Sequence, residues 1–369
     1  MHIVWFSWKD NNHPLAGGAE VVSSEIRKRL LKDGHTVTLI TARYNGSTET
    51  DTVDGVNIIR RGGRFSVYWS ARSVYKSLDE TADLVVDEMN TIPFFAATYT
   101  KNVPKILLTY QLARSVWFYQ MIFPFSILGY LLEPIYLRFL SNKYNLILTE
   151  SESTKKDLQK YGFKDSTIKV FPIGIEIQPK QSLKNMNFSN EILFLGALRP
   201  MKRPLDAIKA FEIARDTNNK LRLIIAGSTD GKYAKKVIKL AESSRHSEAI
   251  NIKGRVSKSE KIILLGRADV ILVTSIKEGW GLIATEANSQ GTPAIAYDTD
   301  GLRDSVVHNQ TGLLVKSGDF QAMGQAINKV YSNEKNFQRL SINSLKSSKQ
   351  YTFDNSYNQF LDHIKKHII

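Results

Sequence analysis

Short apolar, β-branched runs alternate with longer amphipathic segments along nearly the whole chain. Runs at 2–8, 37–43, 56–61, 84–88, 105–110, 146–150 and 168–173 read as strands. A second set follows at 191–197, 221–227, 249–253, 270–275, 294–298 and 312–315. Helical patterns fill most of the intervals. Continuous apolar strands separated by helices predict parallel sheets covered on both faces. Between the two sets, Ile177 to Asn190 is polar and aperiodic, which reads as a linker. The expected fold class is therefore α/β, with two Rossmann-like doubly wound domains facing across a cleft. Ligands of such folds bind in crevices of that kind.

A chain of 369 residues is too long for one ordinary core and suits two domains. There is no cysteine, so disulfides and thiolate chemistry are excluded. The opening Met1-His-Ile-Val-Trp-Phe6 reads as a first strand rather than a signal peptide. The net charge of +14 is uneven. Residues 1–180 carry 22 Lys and Arg against 18 Asp and Glu, whereas residues 181–369 carry 28 against 18. A basic excess attracts phosphates or anionic membrane. No nucleic-acid motif or dense basic run accompanies it, so a nucleic-acid partner is not expected.

Both sets open in the same way. In the first, a strand leads to Gly17-Gly18-Ala19-Glu20 and a helix to about Lys32. Taken alone the glycine pair fits an ordinary tight turn. In the second, a strand leads to Arg199-Pro-Met-Lys202-Arg203-Pro204 and a helix to about Arg215. Three cations at a strand's carboxyl end can hold a pyrophosphate and stabilise a departing diphosphate. The richest stretch follows the strand at 270–275: Glu278-Gly279-Trp280-Gly281-Leu282-Ile-Ala-Thr-Glu286. Strand, glycine loop and helix present backbone N–H groups to phosphate. If 279–286 is mostly helical, its two carboxylates lie roughly 12 Å apart along the axis. That is too far for a glycosidase dyad and suits a ligand with hydroxyls at both ends of a diphosphate.

Residues 116–140 are apolar and aromatic, interrupted by Pro124, Glu133 and Pro134, which argues against a spanning helix. An interfacial surface, an acceptor groove and ordinary core helices all remain open for it. Asp298-Thr-Asp300 precedes Gly301 and reads as a turn rather than a metal site. The histidines lack metal-ligand spacing, and there is no Gly-x-Ser-x-Gly, Walker loop or Gly-x-Gly-x-x-Gly.

Ser275-x-x-Glu278-Gly-Trp-Gly-Leu-x-x-x-Glu286-Ala287, followed by Gly291-Thr-Pro293, resembles the signature of glycosyltransferase family 4. These are retaining nucleotide-sugar transferases of the GT-B fold. The resemblance extends over nearly the whole chain, through Gly17-Gly18-Ala-Glu20, Ser151-Glu-Ser-Thr154, Phe171-Pro-Ile-Gly-Ile175, the Lys202 loop and Gly301-Leu-Arg-Asp304. It implies an acceptor-side domain at 1–175 and a donor domain at 190–350. A C-terminal helix within 353–369 is expected to cross back onto the first. It also implies roles. Glu278 would bind hydroxyls of the transferred sugar and Glu286 the ribose diol. The amides of Gly279, Trp280, Gly281 and Leu282 would approach sugar and phosphates. Lys202, with Arg199 and Arg203, would neutralise the diphosphate, and Gly17 and Gly18 would admit the donor phosphate and acceptor.

Two positions depart from the family pattern. An arginine commonly follows the glycine of the second domain's first strand, but here Gly196 is followed by Ala197, and Arg199 is the nearest arginine. A histidine often ends the strand before the aromatic stretch, where this chain has Tyr110-Gln111. These two are the candidates for the acceptor and sugar side, and neither is a ready base near neutral pH. The expectation is a cytoplasmic retaining hexosyltransferase, peripheral on the inner face of a membrane. Its expected substrates are a nucleotide-diphosphate sugar and a glycan or lipid-linked acceptor, with no cofactor and no metal. A non-catalytic nucleotide-sugar or glycan binding protein on the same fold is the alternative.

Overall fold

The structure, a computed structural model, describes residues 1–183 and 187–368. The chain forms two compact units. Unit 1 is Met1–Gly174 with the segment from Phe353 onward, and unit 2 is Ile175–Thr352.

Unit 1 holds β1 (His2–Phe6), β2 (Thr36–Thr41), β3 (Thr50–Val53), β4 (Val56–Arg60), β5 (Leu84–Met89), β6 (Lys105–Thr109), β7 (Leu146–Thr149) and β8 (Ile168–Val170). Its helices are α1 (Gly18–Lys32), α2 (Val67–Lys76), α3 (Trp117–Gln120), α4 (Phe125–Leu140) and α5 (Glu152–Gln159). The strand order is β3-β4-β2-β1-β5-β6-β7-β8. β1 is parallel to β2, with His2 opposite Thr36, and parallel to β5, with Ile3 opposite Leu84. Every residue of β5 and β7 is buried, as expected of strands covered on both faces.

One strand falls outside the sequence reading. β3 pairs antiparallel with β4. Thr50-Asp51-Thr52-Val53 has no apolar face, so its pattern is silent. The available signal is Asp54-Gly55, whose φ angles of 52° and 83° make the tight hairpin turn. Buried Arg60 anchors the hairpin, with Nε on Asp10 at 2.5 Å and Nη1 on Asp51 at 3.1 Å.

Unit 2 holds β9 (Glu191–Leu195), β10 (Arg222–Ala226), β11 (Ile250–Gly254), β12 (Val270–Val273), β13 (Ala294–Asp298) and β14 (Gly312–Lys316). Its helices are α6 (Pro204–Thr217), α7 (Lys232–Glu242), α8 (Lys258–Arg267), α9 (Leu282–Ser289), α10 (Leu302–Ser305), α11 (Phe320–Tyr331) and α12 (Glu334–Ser348). All neighbours in the order β11-β10-β9-β12-β13-β14 are parallel. Within 177–190, residues 184–186 lie outside the described residues. The stretch before them is not a free linker. Ile177 is buried in the unit 2 core, the Lys180 amide donates to Ser289 O at 2.9 Å, and Lys180 Nζ donates to Gly266 O at 3.1 Å. One apolar side chain and a few satisfied polar groups dock a sequence that composition alone marks as loose.

The last helix, α13 (Phe353–His367), packs on unit 1. Phe360 lies 6.0 Å from the rings of both Trp5 and Phe171, and Tyr357 donates to Asp33 at 2.6 Å.

Candidate functional site

In a doubly wound sheet the loops after two adjacent strands diverge to opposite faces where the strand order reverses, and a crevice opens there. Unit 2 reverses between β9 and β12, with Ile192 opposite Val270. The loops leaving these strands are stitched together. Thr274 Oγ1 donates to the carbonyls of Lys202 and Arg203 at 2.6 and 3.0 Å, and the Ile276 amide donates to Met201 O at 3.0 Å. The first loop closes as a 3₁₀ turn over Pro200–Lys202, and Arg203 then takes a left-handed φ of 46° before Pro204 starts α6. This delivers Lys202 to the second loop, where Nζ makes a short hydrogen bond to Glu278 Oε1. The pair remains open to water, with side-chain exposures of 22% and 16%.

Glycines hold Glu278 in place. Its amide donates to Asp300 O at 3.2 Å, and a Cβ on Gly301 would stand 2.4 Å from its carbonyl oxygen. Gly281, at φ 96°, caps α9 and approaches Leu302 too closely for a side chain. α9 begins only at Leu282. Residues 279–281 are loop, so the helical spacing of roughly 12 Å does not describe the two carboxylates. Trp280 is turned inward, donating from Nε1 to Thr285 Oγ1 at 2.8 Å beside the Tyr351 ring.

Glu286 is buried midway along α9, and Lys261 of α8 meets both its oxygens at 2.6–2.7 Å. Burial raises the carboxyl's pKa, and the Lys261 ammonium opposes that shift. Lys261 was not among the residues the sequence pointed to. Its signal was the capping box of Ser257 and Glu260, which fixes the start of α8 and hence places Lys261 in its first turns. The other predicted cations are not gathered here. Arg203 Nε is bound to Asp206 at 2.6 Å, and the Arg199 side chain is exposed. Asp298 and Asp300 both accept from Arg303, at 2.6 and 3.3 Å. Among the described residues no cluster of three or more acidic or histidine side chains could hold a metal ion.

Unit 1 reverses between β1 and β5. Here the Gly17 amide donates to Glu20 Oε2 at 2.7 Å, while Glu20 Oε1 receives Lys9 Nζ at 2.9 Å and Asn90 Nδ2 at 3.0 Å. Gly18 begins α1. Behind this loop, Glu88 Oε2 accepts from Trp5 Nε1 at 2.7 Å and Ser23 Oγ at 2.9 Å, with Arg27 Nη1 at 3.9 Å. Burial pushes the Glu88 carboxyl up to about 7 against the lowering effect of Arg27. The Tyr110 hydroxyl sits 2.5 Å from Ser23 Oγ and donates to Ala19 O at 3.3 Å. Burial, reinforced by the Glu88 charge, raises its pKa well above the usual value. Tyr110 is thus committed to the interior. Gln111 differs, being half-buried with Oε1 lacking a partner among the described residues. Sequence reasoning missed Lys9, Ser23, Arg27, Glu88 and Asn90, because no local motif joins groups that the sheet brings together.

Residues 16–178 match the family described as Glycosyltransferase Family 4, and residues 175–347 match Glycosyl transferases group 1. The chain is 29% identical over 171 residues to D-inositol 3-phosphate glycosyltransferase of Corynebacterium glutamicum, covering 44% of this chain and 40% of that protein. The chain therefore spans less than half the length of this curated relative. The fold is similar to sucrose-phosphate synthase from Thermosynechococcus elongatus, with a TM-score of 0.81 at 16% identity over 99% of this chain and 98% of that one. Anabaena HepE in complex with UDP and glucose gives 0.75 at 16% identity over 99% and 100%. These neighbours are GT-B glycosyltransferases.

Proposed function

The chain belongs to glycosyltransferase family 4, and from that premise we propose that it moves a hexosyl group from a nucleotide-diphosphate sugar to a hydroxyl acceptor, with retention at the anomeric carbon. The observation that carries the reading is the Lys202–Glu278 pair. A solvent-open cation and carboxylate, 76 residues apart in sequence, are held together at the unit 2 switch point and are free to exchange partners when a ligand arrives. Lys202 then faces the diphosphate and Glu278 the sugar hydroxyls. The N-terminus of α9, opened by Gly281, adds amides and a favourable dipole for phosphate. Glu286, kept beside Lys261, accepts hydrogen bonds from the ribose diol. The HepE complex, which holds UDP, supports a uridine nucleotide as the first donor to try.

In the proposed reaction the bond from the anomeric carbon to the diphosphate oxygen breaks, and the acceptor oxygen bonds to that carbon on the same face. The acceptor proton passes to the leaving phosphate, and the diphosphate's growing charge is balanced by Lys202 and the α9 N-terminus. No enzyme base is required, which suits a unit 1 rim where Tyr110 is committed to Ser23. We assign the acceptor to unit 1, at Gly17, Gly18 and the half-buried Gln111 amide, whose Oε1 has no partner among the described residues. A glycan acceptor in surface polysaccharide or glycolipid synthesis fits this reading.

The test is thermal stabilisation by UDP, GDP, ADP and CMP, for the natural chain and for Glu286→Ala. A ligand at 100 times its dissociation constant adds about 2.7 kcal/mol. One nucleotide should stabilise the natural chain and lose roughly tenfold in affinity with Glu286→Ala, as expected for hydrogen bonds to a charged group. Equal affinity in both would remove the ribose role. Binding without diphosphate release from any sugar donor would make the protein a binder rather than a transferase.

A further inference from the structure

The most extensive surface feature left unused by that reading is apolar. On α4, Leu131 and Ile135 are 59% and 62% exposed, and in the turn before it Ile122 and Phe123 are 77% and 76% exposed. A second segment adjoins this turn. Arg64 Nη2 lies 3.9 Å from Met121 Sδ, and the same segment exposes Phe65 at 54% and Trp69 at 76%. Monomer surfaces scatter such side chains singly and seldom gather them.

Local structure fixes this face outward. Leu137 and Leu140 of α4 already fill the unit 1 core. Glu133 is buried on the same helix and accepts from the amides of Ala113 and Arg114 at 2.7 and 2.6 Å and from Trp117 Nε1 at 2.9 Å. A buried carboxylate with three donors locks the helix rotation, and the rest of its apolar surface is left in water.

We propose that this two-segment face docks the protein on an anionic lipid bilayer, lying in the headgroup plane. The charge pattern selects that occupant. Residues 61–76 carry Arg61, Arg64, Arg72 and Lys76 and no acidic residue. Residues 114–143 carry Arg114, Arg138 and Lys143, and their single acid is the buried Glu133. A second copy would set this basic rim against itself, whereas an anionic headgroup layer complements it. Exposed Trp, Phe and Tyr suit the depth of the interface. No helix among the described residues is long and apolar enough to cross a membrane, so α4 lies on the surface rather than through it.

The test is co-sedimentation of the full chain with vesicles of phosphatidylcholine alone and of phosphatidylcholine with phosphatidylglycerol, without any sugar donor. The protein should pellet with the phosphatidylglycerol vesicles only, less at high salt. Ile122→Ser with Phe123→Ser should weaken that binding by about tenfold or more, as expected when large apolar side chains are removed from a buried contact. Arg64→Glu with Arg72→Glu should do the same, and the serine variant should melt like the natural chain, since both side chains are about three-quarters exposed. Absence of vesicle binding, or equal binding to both compositions, overturns the proposal. So does a concentration-dependent dimer abolished by the serine variant, which would give the face to a second copy. Because no donor is used, the result is independent of the transfer reaction.

Discussion

In both units the first strand lies beside the strand where the order reverses, β1 against β5 and β9 against β12, and in both the loops there bring a lysine to a glutamate. The finish differs. In unit 1 Lys9 and Glu20 have side-chain exposures of 9% and 2%, and Glu88 behind them is fully buried, so the charges are part of the interior. In unit 2 Lys202 and Glu278 stay in contact with water. One topology yields a sealed polar brace in one unit and an exchangeable pair in the other. The difference lies in what surrounds the charges. Trp5, Ser23 and Arg27 close over Glu88, while a loop with glycines at 279 and 281 keeps Glu278 at the surface.

The comparison is broken most directly in unit 1. Glu88→Ala leaves Arg27 buried without its carboxylate and should cost about 3–5 kcal/mol of stability in a denaturant titration. An unchanged midpoint would show that the brace carries no load. Lys202→Ala should do the opposite. Diphosphate release should fall about 10²–10³-fold, while stability shifts by no more than about 1 kcal/mol, the range of open ion pairs. A destabilised Lys202→Ala with normal turnover would erase the distinction between the two sites.

A third, smaller effect sharpens it through pH. The folded Glu88 carboxyl is raised to about 7 from an ordinary 4.5, so the folded state holds this proton more tightly than the unfolded chain. Its favourable contribution is complete below pH 4.5 and is lost as pH rises through 7. Relative to Glu88→Gln, the natural chain should lose up to about 3 kcal/mol across that window. Parallel stability curves for the two proteins would show that Glu88 titrates normally.

All thirteen runs became strands: central ones such as β5 and β7 are buried on both faces and continuously apolar, outer ones such as β4 and β11 alternate apolar and polar residues, and both signatures are local. The Glu278 to Glu286 stretch was legible for a similar reason, since a glycine loop between strand and helix is written in consecutive residues. β3 was missed because an exposed edge strand needs no apolar face. The true helix start at Leu282 was missed because it depends on Gly281 meeting Leu302, a contact made across the fold.

By itself, then, the sequence determined thirteen of the fourteen strands among the described residues, most of the helices, and which short loops carry glycines, cations and carboxylates, because those depend on neighbours within a turn or two of chain. Only the tertiary structure decided which charges meet. Lys202 reaches Glu278 through strand order and Lys261 reaches Glu286 through helix packing, while Lys9 reaches Glu20 through the folding of the β1–α1 loop. It also decided that Tyr110 turns inward and that the apolar face of α4 turns out, because burial is a property of the whole fold.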